Sequence, residues 1–397
     1  MKPCAVTGFG VACPFGVGRA AFLDAARAGG SATPRSAQAS QRATLQSFDA
    51  SAYPGARVVE VPGFDPAKYL GDKGLRSLDR LTKLLVVAAR LALHDSGLKR
   101  DGAWADGAAE TSGIVVSNAY GSLEAITELD RVSLLEDARY INPSRFPLTV
   151  ANSAAGYASI WEELRAVNVS VSDGNCGSLD AAACAEVLLD QGRARALLVG
   201  GAEAMSEALF LAFHKLGASE GGALLGEGAA LLVLETPDSA RARGASVAGE
   251  IVGYGTSFVP PEREAALVHP SPEAMARAIE SALSDADVPA GAIGAVVSGV
   301  SGLRAFDEAE LSAIGRVLGP EIPVVAPKLA LGETLGAGGA MGMLSALALM
   351  QGAAQFPHAR GPAAAPPRDT PRSVLVTSLG YYGNASAVVM RSPNTGR

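Results

Sequence analysis

The chain has 397 residues, 48% of them apolar and only 18% charged, with a formal net charge of −7. That length supports one large domain or two fused halves, and the high apolar content excludes an intrinsically disordered chain. The acidic balance, without any Lys/Arg stripe, argues against nucleic acid as a partner, so an acidic partner would need a local basic patch.

The N-terminal run MKPCAVTGFGV meets glycine too early for a signal peptide. Short Val/Leu/Ile runs then alternate with helix-length segments, the pattern of an α/β protein with mostly parallel strands. Strands are predicted over Cys4–Thr7, Gly113–Ser117, Asn168–Val171, Ala196–Val199, Ala229–Glu235, Ile293–Val297, Val324–Ala326, Ser373–Thr377 and Ala387–Arg391. Helices are predicted over Ser77–Ser96, Ser153–Ala166, Gly177–Gln191, Pro272–Ala286, Asp307–Val317 and Gly336–Gln351. The first of these shows the 3.6-residue apolar period from Asp79 and ends at Asp95-Ser96-Gly97.

Ala5–Gly10 (AVTGFG) and Glu250–Gly255 (EIVGYG) each read as a strand feeding a glycine-rich turn. This echo points to a duplicated α/β unit with a seam near residues 236–248, hence halves spanning 1–245 and 246–397. The uncharged stretch Thr334–Pro357 is long enough to span a membrane, but its glycines and its place between two strand-like segments favour a buried helix. Phe356–Pro371 is Pro/Ala-rich and reads as a surface loop. Cys4, Cys13, Cys176 and Cys184 show no CxxC pairing and no adjacent His. Neither a disulfide framework nor a metal site is expected, no cofactor is implied, and a reducing cytoplasm is the expected compartment.

The run Val169–Asp180 (VSVSDGNCGSLD) carries the most chemical information. It reads as a buried strand, a sharp polar turn and the start of an Ala-rich helix near Gly177. A cysteine there would sit among helix N-terminal N–H groups that favour a thiolate. Two residues contend for that elbow, Asn175 and Cys176.

Several runs resemble the β-ketoacyl synthases of the thiolase superfamily: AVTGFGVACPFGVG (5–18), FPLTVANSAAG (146–156), LLVGGAEA (197–204), LLGEGAALLVLE (224–235), AMARAIESALSDADVPAGAIGAVV (274–297), PKLALGETLGAGGA (327–340) and SLGYYGNAS (378–386). The likeness covers nearly the whole chain in order. It implies the five-layered αβαβα thiolase-like fold, built from two duplicated α/β halves, and a dimer paired through the strand before the nucleophile. It also implies chemistry in which a Cys takes an acyl chain from an acyl carrier protein and two His residues assist decarboxylative condensation with a malonyl thioester.

The family pattern places its Cys ten residues after an Arg and five before an Asp. Counting on from Arg165 and back from Asp180 gives Asn175 both times, which leaves Cys176 one residue past the elbow. In the loop that should carry the first His, VSGVSGLRAFD (297–307), Gly299 holds its position, while Asp307 and Glu310 are retained. In GETLGAGG the second His is replaced by Glu333, and Lys328 matches a family lysine that could pair with it. The closing loop puts Tyr382 where the family has a Gly that lets substrate approach, with Tyr381 beside it.

The resemblance thus points to a chain-length-factor-like (KSβ) subunit that lacks the nucleophile, pairs with an active ketosynthase and works with an acyl carrier protein. In this reading Asn175, Cys176, Lys328, Glu333, Tyr381 and Tyr382 lie along the substrate tunnel, and Lys73 and Arg76 are the carrier-docking candidates, with a plain solvated face as the alternative. A second reading keeps Cys176 as the nucleophile of an acyltransferase or condensing enzyme, with Glu333 or His269 as its base. His94, His214 and His358 fall outside the motifs, and Cys184 is most simply core. A third reading is a non-catalytic acyl-binding protein.

Overall fold

The computed structural model describes every residue except 30–44, 50, 52, 54–56, 106, 219–222, 263–267, 353, 361–369 and 394–397. Ten strands carry the architecture. β1 (Cys4–Cys13), β2 (Ser112–Ser117), β3 (Asn168–Val171), β4 (Ala196–Glu203) and β5 (Gly228–Glu235) lie side by side in the order β3-β2-β4-β5-β1. β6 (Gly249–Phe258), β7 (Ala295–Val297), β8 (Val324–Val325), β9 (Ser373–Leu379) and β10 (Asn384–Arg391) repeat that order as β8-β7-β9-β10-β6. In both runs the second, third and fourth strands are parallel and the fifth is antiparallel to both its neighbours. Order and sense agree twice, so the duplication expected from AVTGFG and EIVGYG is present. The runs join where Cys4–Val6 pairs with Gly249–Ile251.

Eight helices matter for the layers and the site: α1 (Arg80–Asp95), α2 (Leu123–Val132), α3 (Ser153–Glu162), α4 (Gly177–Asp190), α5 (Glu207–Lys215), α6 (Pro272–Ala286), α7 (Arg304–Leu318) and α8 (Gly338–Met350). α1 and α3 cover the outer face of the first run, α6 and α7 that of the second, and α4 and α8 lie between the two. Every strand of the central part is therefore covered on both faces and reads as a near-continuous apolar run. Along β5, Ala230, Leu232 and Leu234 face the middle layer while Ala229, Leu231 and Val233 face α1, the two-residue alternation of a strand. α8 is buried at all thirteen positions, the outcome expected for the uncharged stretch. No helix among the described residues is long and apolar enough to cross a membrane.

Several boundaries differ from expectation for physical reasons. The glycines of AVTGFG and EIVGYG are not turns; β1 and β6 run straight through them for ten residues each. A Cβ on Gly10 would meet Ala88 O at 2.1 Å, and one on Gly255 would meet Ala278 O at 2.2 Å. These glycines let α1 and α6 lie directly on their strands. α1 starts at Arg80 because the Asp79 carboxylate caps it through Thr82 N. α3 stops at Glu162, not Ala166, because Glu163 turns left-handed at φ 62°. The strand Ile293–Val297 shrinks to Ala295–Val297, and β4 extends to Glu203. β3, expected to be buried, is partly exposed, because as the end strand of the sheet it has a single neighbour, β2. Of the predicted loop Phe356–Pro371, residues 361–369 lie outside the described residues, and His358–Arg360 form a short edge strand beside β8.

Candidate functional site

β3 feeds a tight turn, Ser172–Cys176, in which Gly174 takes φ 53° and Cys176 N donates to Asp173 O at 3.1 Å. α4 follows at Gly177, pressed so closely against β2 that a Cβ there would meet Ser117 Oγ at 2.1 Å. Asn175 and Cys176 therefore sit at the positive end of α4, as an elbow requires. The end of β9 brackets them: Ser378 Oγ donates to Asn175 O at 2.8 Å, and the Cys176 thiol donates to Ser378 O at 3.3 Å.

The two side chains have different surroundings. Cys176 is fully buried, and burial, then the charges of Asp180 and Asp173, push its thiol well above the ordinary range. A thiol held protonated against a backbone carbonyl is a poor nucleophile. Asn175 is 3% exposed, and its Oδ1 has no hydrogen-bond partner among the described residues. The Tyr381 hydroxyl lies close enough for the amide to bias its ionisation, yet the two do not align as a hydrogen bond. Burial first, then the charge of Glu333, pushes the Tyr381 hydroxyl well above the ordinary phenol range.

Glu333 and Lys328 form a buried ion pair, with Nζ 2.8 and 3.1 Å from the two carboxylate oxygens. Oε1 also accepts Leu335 N at 2.9 Å. The carboxylate thus faces its lysine and a backbone N–H. Gly299 N donates to Glu310 Oε1 at 2.8 Å, and a Cβ on Gly299 would come within 3.0 Å of Glu310 Oε2. Glu310 also accepts the Thr377 hydroxyl, and Asp307 accepts Ser301 N and Gly302 N. The two carboxylates hold the loop's shape, and Gly299 itself carries no side chain.

Asp180 accepts hydroxyls from Tyr254 at 2.7 Å and Ser386 at 2.5 Å. Burial, reinforced by the Asp173 carboxyl, raises it to about 7. Glu203, at the end of β4, accepts Ala119 N and Gly336 N, and burial raises it to about 7 as well. The sequence reading quoted Glu203 within LLVGGAEA without giving it a task; it ties the loop after β2 to the start of α8.

The closing loop is pinned at its backbone, with His269 N donating to Tyr381 O at 2.7 Å and Val259 N to Gly383 O at 2.9 Å. His269 serves this loop through its main chain. Tyr381 packs edge-on between Phe213 and Phe306. Tyr382 is 57% exposed and points away from the elbow. Both tyrosines line an apolar cavity of about 880 Å³ with Tyr120, Phe213, Leu216, Leu303 and Phe306. Asn175, Cys176, Lys328 and Glu333 are not among its lining residues. Tyr120 and Leu216 sit on segments with no chemical motif, and Phe306, although inside the 297–307 loop, drew no notice as an apolar residue beside Asp307. Lys73 and Arg76 are both exposed, with Arg76 at the rim of a small polar cavity.

Comparison with known proteins matches residues 1–240 to the beta-ketoacyl synthase N-terminal domain and residues 248–360 to its C-terminal domain. The chain belongs to the β-ketoacyl synthase family. Among its relatives, the tetracenomycin polyketide synthase ketoacyl synthase beta subunit of Streptomyces glaucescens is 31% identical, with 98% of each chain covered. The alpha subunit of the same synthase is 32% identical over 88% of this chain and 85% of its own. The ishigamide ketosynthase/chain length factor superposes with a TM-score of 0.84 at 25% identity, covering 99% of this chain and 100% of that one.

Proposed function

We propose that this chain is the chain-length-factor-like (KSβ) subunit of a ketosynthase pair, which elongates carrier-protein-bound acyl chains by decarboxylative condensation in polyketide- or fatty-acid-type biosynthesis. The observation that carries the reading is the elbow itself, which presents a buried amide in place of a thiol. Asn175 cannot form a thioester, Gly299 has no donor side chain, and Glu333 is neutralised by Lys328. The active partner supplies the Cys-His-His set, and this chain supplies shape. The free edge of β3, together with the exposed Leu134, Leu135, Tyr140, Phe146 and Ile160, offers the partner an unpaired strand and apolar surface. The relative named as a beta subunit and the neighbour named as a ketosynthase/chain length factor support the pairing.

In this reading the halves 1–245 and 246–397 act as one body, the acyl carrier protein docks near Lys73 and Arg76, and the chain works in the cytoplasm. The pair needs no cofactor. Co-expression with an active ketosynthase subunit from the same organism is expected to yield a heterodimer that condenses acyl and malonyl carrier proteins. A homodimer of this chain that performs the condensation alone would overturn the proposal.

A further inference from the structure

The tyrosines of the closing loop stand between an open cavity and the buried elbow. On one side is the apolar cavity of about 880 Å³, which opens to the surface. On the other are Asn175, Glu333 and Lys328, all at least 95% buried. Tyr120, Tyr381 and Tyr382 line the cavity, and Tyr381 also reaches the Asn175 amide. Tyr120, just past the end of β2, lines the cavity together with Tyr382 from the opposite half of the chain, and burial first, then Tyr382, pushes the Tyr120 hydroxyl above the ordinary phenol range. Behind them Tyr381 is clamped edge-on by Phe213 and Phe306 at ring distances of 5.9 and 5.1 Å.

We infer that Tyr382 and Tyr120, backed by Tyr381, form a fixed plug that separates the surface cavity from the Asn175 elbow. The inference deepens the proposed function: a subunit without a nucleophile has its own route to the elbow closed. Nothing about the loop's geometry favours opening. Gly383 holds φ 90°, and a Cβ there would meet Val259 O at 2.2 Å. The main chain on either side is bonded to His269 and Val259, and Asn384 Nδ2 donates to Asp173 Oδ1 at 3.0 Å, tying the loop to the elbow turn. Tyr382 is the decisive member. The resemblance places a glycine at that position, and a glycine would leave Tyr120 without its partner and the outer layer of the plug open.

The test places a reporter thiol at the elbow. Asn175→Cys is made in a Cys184→Ser background, because Cys4, Cys13 and Cys176 are buried and Cys184 is the half-buried exception. The assembly in which the chain purifies is treated with iodoacetamide, and intact mass is followed in time. With the tyrosines present, the reporter is expected to label no faster than buried Cys176. Adding Tyr382→Gly together with Tyr120→Ala is expected to raise its rate at least tenfold, while Tyr382→Phe, which keeps the ring, raises it much less. Cys176 is the internal control for folding: a variant in which Cys176 also labels is unfolded, and the milder Tyr382→Ala then replaces it. Rapid labelling with all three tyrosines intact, or labelling unchanged after their removal, overturns the plug. Neither outcome bears on whether the chain condenses acyl groups alone, so the two proposals fail separately.

Discussion

Replacing Glu333 by Ala tests whether its buried pair with Lys328 serves structure. The Lys328 and Glu333 side chains are 6% and 1% exposed, and the ammonium's direct partner is this carboxylate. Removing one member of a buried pair leaves an uncompensated charge and costs about 3–5 kcal/mol. Leu335 N loses its acceptor at the same time, at a residue already held at φ 47°, which adds about 1 kcal/mol. Glu310 and Asp307 are no ready replacements, being engaged with backbone N–H groups of the 299–302 loop.

Exchanging both residues for Met and Leu removes the charges together and should recover most of the loss. Urea midpoints for the parent, the single variants and the double variant measure both effects. If Glu333→Ala stays within about 1 kcal/mol of the parent, or the double exchange is no better than the single one, the reasoning is wrong.

Three further outcomes are expected. Gly10→Ala and Gly255→Ala should each cost more than about 3 kcal/mol, because strand and helix would have to separate; a thermal shift of a degree or less would show that α1 and α6 yield easily. Asp180 and Glu203 keep their protons to about 7, against an ordinary carboxyl value near 4. Between those values the folded state binds more protons, so their contribution is full below about pH 4 and is lost as pH rises through 7, by on the order of 1.4 kcal/mol per unit for each group. Asp180→Asn should flatten part of that slope in denaturant titrations, and an unchanged slope would remove Asp180 from the account. In the native protein, iodoacetamide should modify Cys184 and leave Cys176 untouched; stoichiometric alkylation of Cys176 would revive the nucleophile reading.

The strand, turn and helix around Asn175 and Cys176 were legible in the sequence because a Val-rich run, a polar turn with glycine and an Ala-rich run follow one another directly along the chain. The alternation of short apolar runs with helices likewise gave the α/β class, since strands covered on both faces must be apolar throughout. What escaped depended on contacts across the chain. Gly8, Gly10, Gly253 and Gly255 looked like turns because the backbone that presses on them lies far along the chain, Ala88 and Ser96 for the first two and Ala278 and Ala282 for the others. Val169 and Val171 suggested a buried strand, although β3 is an uncovered edge in the lone chain. Tyr381 and Tyr382 were both expected along the substrate tunnel, but the closing loop turns Tyr382 outward and buries Tyr381. The large cavity is assembled from α2, α5, α7 and the closing loop, segments distant in sequence whose meeting no single motif announces.

The burial of α8 on every side has a consequence for how the protein is made. The inner face of the first sheet is complete once β5 ends at residue 235, yet the layer that covers it, begun by α4, is finished only with α8 at Met350. The difference, 350 − 235, is 115 residues, which a ribosome adds in roughly 6–23 s. Throughout that interval the nascent chain presents an apolar sheet face that α4 covers only in part. Slower growth or a trigger-factor-like holdase should therefore change the soluble yield of this chain far more than its final stability.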